Sequence, residues 1–222
     1  MLFAGCATSM PVSEVLVFSE QQIDESASFS DKIESTLGTS VSYILPSNNL
    51  KNDSLDTIKN EYLYATPMPS FSVSYSDKIS LGSTVPLFAF WQVDGTVKLV
   101  DDYFVTISKK IYLRNTEIIL QKKIKEQESG GISLGIFFRN DAIQLTESED
   151  IIFSQTFYVP WYGVRTVFQK PIKFGYEYFL RGFINAGYSS EYNSPIASFG
   201  FSIGIISGAN KKRRKPPSIP FR

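Results

Sequence analysis

Residues 172–188 read IKFGYEYFLRGFINAGY and residues 197–205 read ASFGFSIGI. In the first stretch, even positions carry Ile172, Phe174, Tyr176, Tyr178, Leu180, Ile184, Ala186 and Tyr188. Odd positions carry Lys173, Gly175, Glu177, Phe179, Arg181, Phe183, Asn185 and Gly187. In the second, Phe199, Phe201, Ile203 and Ile205 fall on one side, with Ser198, Gly200, Ser202 and Gly204 on the other. Successive strand residues point to opposite faces, so this period of two marks strands with one apolar face. Between them, SSEYNSP (189–195) has loop composition. The sequence therefore predicts a long antiparallel hairpin with arms at 172–188 and 197–205.

Working upstream, the same alternation recurs. Phe71, Val73 and Tyr75 oppose Ser72, Ser74 and Ser76; Val85, Leu87, Ala89, Trp91 and Val93 share a side. Asp94-Gly95 is expected to be a two-residue hairpin turn, because both central residues of a type I′ turn need positive φ. Asp101-Asp102, Arg114-Asn115 and Asn140-Asp141 are expected turns as well. Tyr103, Val105, Ile107, Ile111 and Leu113 share a face that Lys109 interrupts; Ile118, Leu120 and Ile124 follow, then Ile132, Leu134, Ile136 and Phe138. Two more strands are bounded by Pro160 and Pro171. About eight to ten strands at regular spacing after residue 70 predict a sandwich or a barrel.

Composition supports an all-β chain and narrows its chemistry. The 222 residues include 18 Phe and 12 Tyr, which favour half-buried pleated surfaces. Lys+Arg equals Asp+Glu, so nothing in the net charge points to nucleic acid. The absence of His removes the usual general base, and a single Cys removes intrachain disulfides and cysteine-based zinc sites. Phosphate-loop and dinucleotide-binding glycine patterns are missing. No catalytic residue, metal ligand or cofactor is therefore assigned, and the chain is not expected to be an enzyme. No apolar run approaches the ~20 residues of a membrane helix. Lys211 to Lys215 (KKRRK) form a basic run in a flexible tail, 207–222, suited to solvent or to anionic head groups.

The first ten residues, MLFAGCATSM, end a different kind of segment. Leu2-Phe3-Ala4-Gly5-Cys6 resembles a bacterial lipobox, the end of a lipoprotein signal peptide. That resemblance implies cleavage before Cys6, lipidation of Cys6, and an upstream leader whose basic and apolar regions the five preceding residues do not supply. Residues 11–69 are read as a tether, cap or plug. Within them Val12–Phe18 suits a short strand, Ile23, Phe29, Ile33 and Leu37 a weak helix ending at Gly38, and Thr39–Leu45 a strand stopped by Pro46.

Period two does not say what the apolar face meets. In a sandwich it meets a second sheet; in an outer-membrane barrel it meets lipid, around a polar lumen. Several strands are long enough to cross a ~25 Å apolar band at ~45° tilt. Residues 70–206 thus resemble small bacterial outer-membrane β-barrels. The resemblance implies a meander closing into a barrel with Phe199, Phe201, Ile203, Ile205, Phe174, Tyr176, Tyr178 and Leu180 facing lipid. It also implies a structural or narrow-passage role in the outer membrane, with membrane lipid and an envelope protein as partners. The alternative is a lipid-anchored periplasmic or surface β-sandwich that binds a partner.

Overall fold

In the computed structural model, residues 11–18, 32–46, 68–84, 92–111, 116–127, 130–146, 154–174, 176–191 and 193–208 are described. Ten antiparallel strands form one closed barrel: β1 (Ile33–Pro46), β2 (Met68–Tyr75), β3 (Ile79–Thr84), β4 (Gln92–Val100), β5 (Tyr103–Lys110), β6 (Thr116–Gln127), β7 (Gly130–Thr146), β8 (Ser154–Phe174), β9 (Tyr176–Ser189) and β10 (Ser194–Gly208). Each strand pairs with its sequence neighbours, and β1 closes on β10. A 3-10 helix, Ser13–Phe18, precedes them.

The register fixes the shape. From Ile196 the paired residues run through Gly187, Gly163, Phe137, Ile119, Thr106, Thr96, Ser80, Ser74 and Glu34, returning to β10 at Gly208. One circuit thus slips twelve residues along β10. With ~3.3 Å per residue and ~4.8 Å between strands, a slip of twelve over ten strands tilts them by ~40° and gives a backbone radius of ~10 Å.

Alternation sorts the faces in an inverted sense. Phe199, Phe201 and Ile203 are 40–49% exposed, whereas Ser198 and Ser202 are buried. Val164, Ile184, Ile136 and Leu81 also point out, while Ser72, Thr106, Ser133, Arg165 and Asn185 point in. Among the described residues no second sheet covers Phe199, Phe201 and Ile203, and the ten strands close on themselves, so the sandwich alternative is not the fold. Ile205, Tyr178 and Leu180 are half-buried on the outward face. Phe174 and Tyr176 pair across the β8–β9 reversal; their side chains lie outside the described residues.

The ends of the barrel differ. At one end β2–β3, β4–β5, β6–β7 and β8–β9 are joined by residues 76–78, 101–102, 128–129 and 175. At the other, β1–β2 and β7–β8 are joined by residues 47–67 and 147–153.

Several local expectations are corrected. The expected single arm 172–188 is two strands, because Phe174 pairs with Tyr176. The barrel takes its first strand from residues 33–46, upstream of the expected start at residue 70; Ile33 and Leu37 satisfy period two as well as helical spacing. Val12–Phe18 is no strand but a 3-10 helix. Asp94-Gly95 lies inside β4 and Asn140-Asp141 inside β7, while Asp101-Asp102 is a turn as expected. Pro160 and Pro171 lie within β8. They fit because β9 pairing begins only at Tyr162, and β7 pairing ends at Gln169. Each proline thus sits where β8 has one neighbour, and its missing N–H breaks no ladder bond. The expected turn at Arg114-Asn115 and the strand at Val85–Trp91 lie outside the described residues.

Candidate functional site: a lumen closed by residues 11–18

Every residue from Ser13 to Phe18 is buried, Glu14 completely. The segment lies inside the barrel and is held at both walls. On the β4 side Asp94 accepts the Val12 N–H at 3.0 Å and the Ser13 N–H at 2.8 Å. Ser13 Oγ shares a 2.8 Å hydrogen bond with Thr96 Oγ1, which is bonded in turn to Thr106. A helix start leaves backbone N–H groups without intrahelical partners, and here the Asp94 carboxylate satisfies two of them. This role displaces the turn that Asp94-Gly95 suggests.

On the β8 side Arg165 Nη2 donates to Glu14 Oε2 at 2.7 Å, with both side chains fully buried. Gln121 Nε2 donates to Glu14 Oε1 at 3.2 Å, and Ser133 Oγ donates to Gln121 Oε1. Arg165 Nη1 donates to Asn185 Oδ1 at 3.1 Å, and Asn185 Nδ2 to Ser198 Oγ at 2.9 Å. Glu117 lies 3.8 Å from Arg165 Nη1 and accepts from Arg139 Nη2 at 2.6 Å. A charge taken out of water costs several kcal/mol unless paired, so this connected arrangement is what permits Glu14 inside the barrel. Leu16, Val17 and Phe18 pack against Phe104, Val167 and Phe183. A second apolar cluster, Ile119, Phe137, Val159, Trp161 and Ile196, lies on the inner wall formed by β6, β7, β8 and β10, with Phe137 edge-on to Trp161.

The outward surface is the second functional feature. On β9, Tyr178 and Tyr188 bracket Leu180, Ile184 and Ala186. Ten residues at this tilt span ~25 Å, the height of the apolar band between the aromatic girdles of outer-membrane barrels. Lys122 points outward with Nζ 5.0 Å from the ring centroid of Tyr103, the first residue of β5. Lys109, which interrupts an apolar face, is the penultimate residue of β5.

The expected lipid-facing residues Phe199, Phe201, Ile203, Ile205, Tyr178 and Leu180 thus share one outer surface. Cys6 and the KKRRK tail lie outside the described residues. Sequence reading missed Glu14, Asp94, Gln121, Arg139, Arg165 and Arg181 as a group. The available signal was arginine on the small or polar side of three alternating strands. Among the described residues no cluster of three or more Cys, Asp or Glu is placed to hold a metal ion. No family model, no curated protein and no solved structure matches this chain, so its site is read from its own chemistry.

Proposed function

We propose that this chain is an integral β-barrel of a bacterial outer membrane, additionally tethered through a lipidated Cys6, with its lumen closed by its own residues 11–18. Its role is structural or that of a narrow, normally shut passage. One observation carries the reading: the barrel is apolar outside, while most of the buried side chains within are polar or charged. Water-soluble ligand-carrying barrels need the opposite sense, with polar residues toward solvent. A closed sheet leaves no unpaired strand edge, which hydrocarbon does not tolerate. The unequal ends agree, since such barrels have short periplasmic turns and longer external connections.

Fractionation of cells producing the Cys6→Ser variant tests this. The variant is expected to stay with membranes through alkaline carbonate washing, to leave only with detergent, and to migrate faster on gels unheated than boiled. Release by carbonate alone refutes membrane integration. Mass analysis of the mature wild-type N-terminus tests the lipid on Cys6.

A further inference from the structure

Three buried arginines climb one wall of the lumen. Arg139 on β7 pairs in register with Trp161 of β8; Arg165 is four residues further along β8. Arg165 pairs with Asn185 of β9, and Arg181 is four residues beyond that. Each step moves one strand over and four residues on, which at this tilt is ~7 Å along the barrel axis. We propose that this ladder is a binding and conduction path for small oxyanions, carboxylate or phosphate, and that Glu14 is the carboxylate occupying its middle rung while the barrel is shut. The proposal rests on the membrane-barrel reading and adds its solute class and its gate.

Three observations carry it. Glu14 is seated as a bound anion would be, on a guanidinium at 2.7 Å and an amide at 3.2 Å. Arg165 Nε and Arg181 Nη1 are buried and have no hydrogen-bond partner, so the ladder retains donor capacity that the chain leaves unused. Finally, the charged residues buried in the described barrel are Arg139, Arg165, Arg181, Lys110 and Lys123 against Glu14, Asp94 and Glu117. Withdrawal of residues 11–18 takes Glu14 with it, so that among the described buried residues one carboxylate fewer faces Arg165 and Arg181. Cationic side chains lining a narrow, low-dielectric pore favour anion entry. Guanidinium, with its planar fork of donors, matches carboxylate and phosphate oxygens.

Planar-bilayer recording of three full-length proteins (wild type, E14Q, and E14Q with R165A and R181A) and of a variant lacking residues 11–18 tests this. Wild type is expected to be nearly silent. E14Q is expected to open intermittently and the deletion persistently, with at least ~10-fold more current and a reversal potential favouring chloride over potassium. R165A with R181A is expected to bring that preference close to unity, and millimolar inorganic phosphate or acetate to block chloride current; the stronger blocker identifies the oxyanion class. Cation-selective current, selectivity unmoved by the arginine substitutions, or an E14Q protein silent at every voltage overturns the proposal. If the deletion fails to fold, the E14Q recordings decide alone. Failure of wild type to float with liposomes refutes the membrane reading instead, so the two failures are separable.

Discussion

Replacing Glu14 by Ala removes the 2.7 Å ion pair with Arg165 and the bond from Gln121. Breaking a fully buried pair costs ~3–5 kcal/mol, chiefly because the remaining charge is stranded. Arg165, however, keeps Asn185 at 3.1 Å and has Glu117 at 3.8 Å. The cost for Glu14→Ala is therefore expected nearer ~2–3 kcal/mol. Arg165→Ala strands Glu14 with only Gln121 and should reach the upper part of the ~3–5 kcal/mol range. The double variant leaves neither charge stranded, so its cost should fall short of the sum by ~2 kcal/mol. Urea unfolding from liposomes, followed by the emission of buried Trp161, measures all three. With a slope of ~2 kcal/mol per molar urea, Glu14→Ala should lower the midpoint by ~1 M or more. A change below ~0.3 M, or costs that simply add, would show that residues 11–18 are not seated against Arg165.

Further outcomes follow from the same geometry. Val164→Arg, on the outward face and 59% exposed, should cost ~2–4 kcal/mol in a bilayer and little in a detergent that adapts around it; equal small costs in both would contradict a lipid-facing Val164. Gly163 and Gly187 face each other across β8 and β9, where a Cβ on Gly163 would strike the Ala186 carbonyl oxygen. Gly163→Ala should therefore destabilise by ~1–3 kcal/mol in the same urea assay. Asp77, in the turn between β2 and β3, has competing influences: burial raises its pKa, but the Lys98 hydrogen bond and charge, with Ser76, outweigh it and leave the value below 3.8. Its contribution is thus present above pH 3.8 and fades as pH falls through the lower folded-state value. Since both partners are about a third exposed, it should amount to less than ~0.5 kcal/mol. Asp77→Asn should lower the urea midpoint slightly near neutrality, by ~0.25 M at most, and leave it unchanged at a pH below the folded-state value, so the acid dependence disappears.

The alternation of residues 197–205 made the sheet and its outward face legible, because period two is a property of the local chain. Strand limits were less so. Proline and Asp-Gly were read as breaks, but Pro160 and Pro171 occupy stretches with one neighbour, and Asp94 serves backbone donors 81 and 82 residues away. Phe137 lies on the face opposite Ile136 and Phe138, and inside the barrel it packs against Trp161. The plug was least legible. VSEVLVF looks like a strand, and its burial on all sides depends on walls supplied by much later residues such as Phe104 and Phe183. Glu14 in that run was the overlooked clue, since a carboxylate among buried residues requires a partner.

The account turns on whether the outward face meets hydrocarbon. Nitroxides placed singly at positions 198 to 203, in the Cys6→Ser protein folded into liposomes, test this by collision with oxygen and with a water-soluble nickel chelate. Oxygen contact should peak at 199, 201 and 203, with nickel contact low there and both low at 198, 200 and 202. Strong nickel contact at Phe199, Phe201 and Ile203 would place that face in water and contradict the central claim.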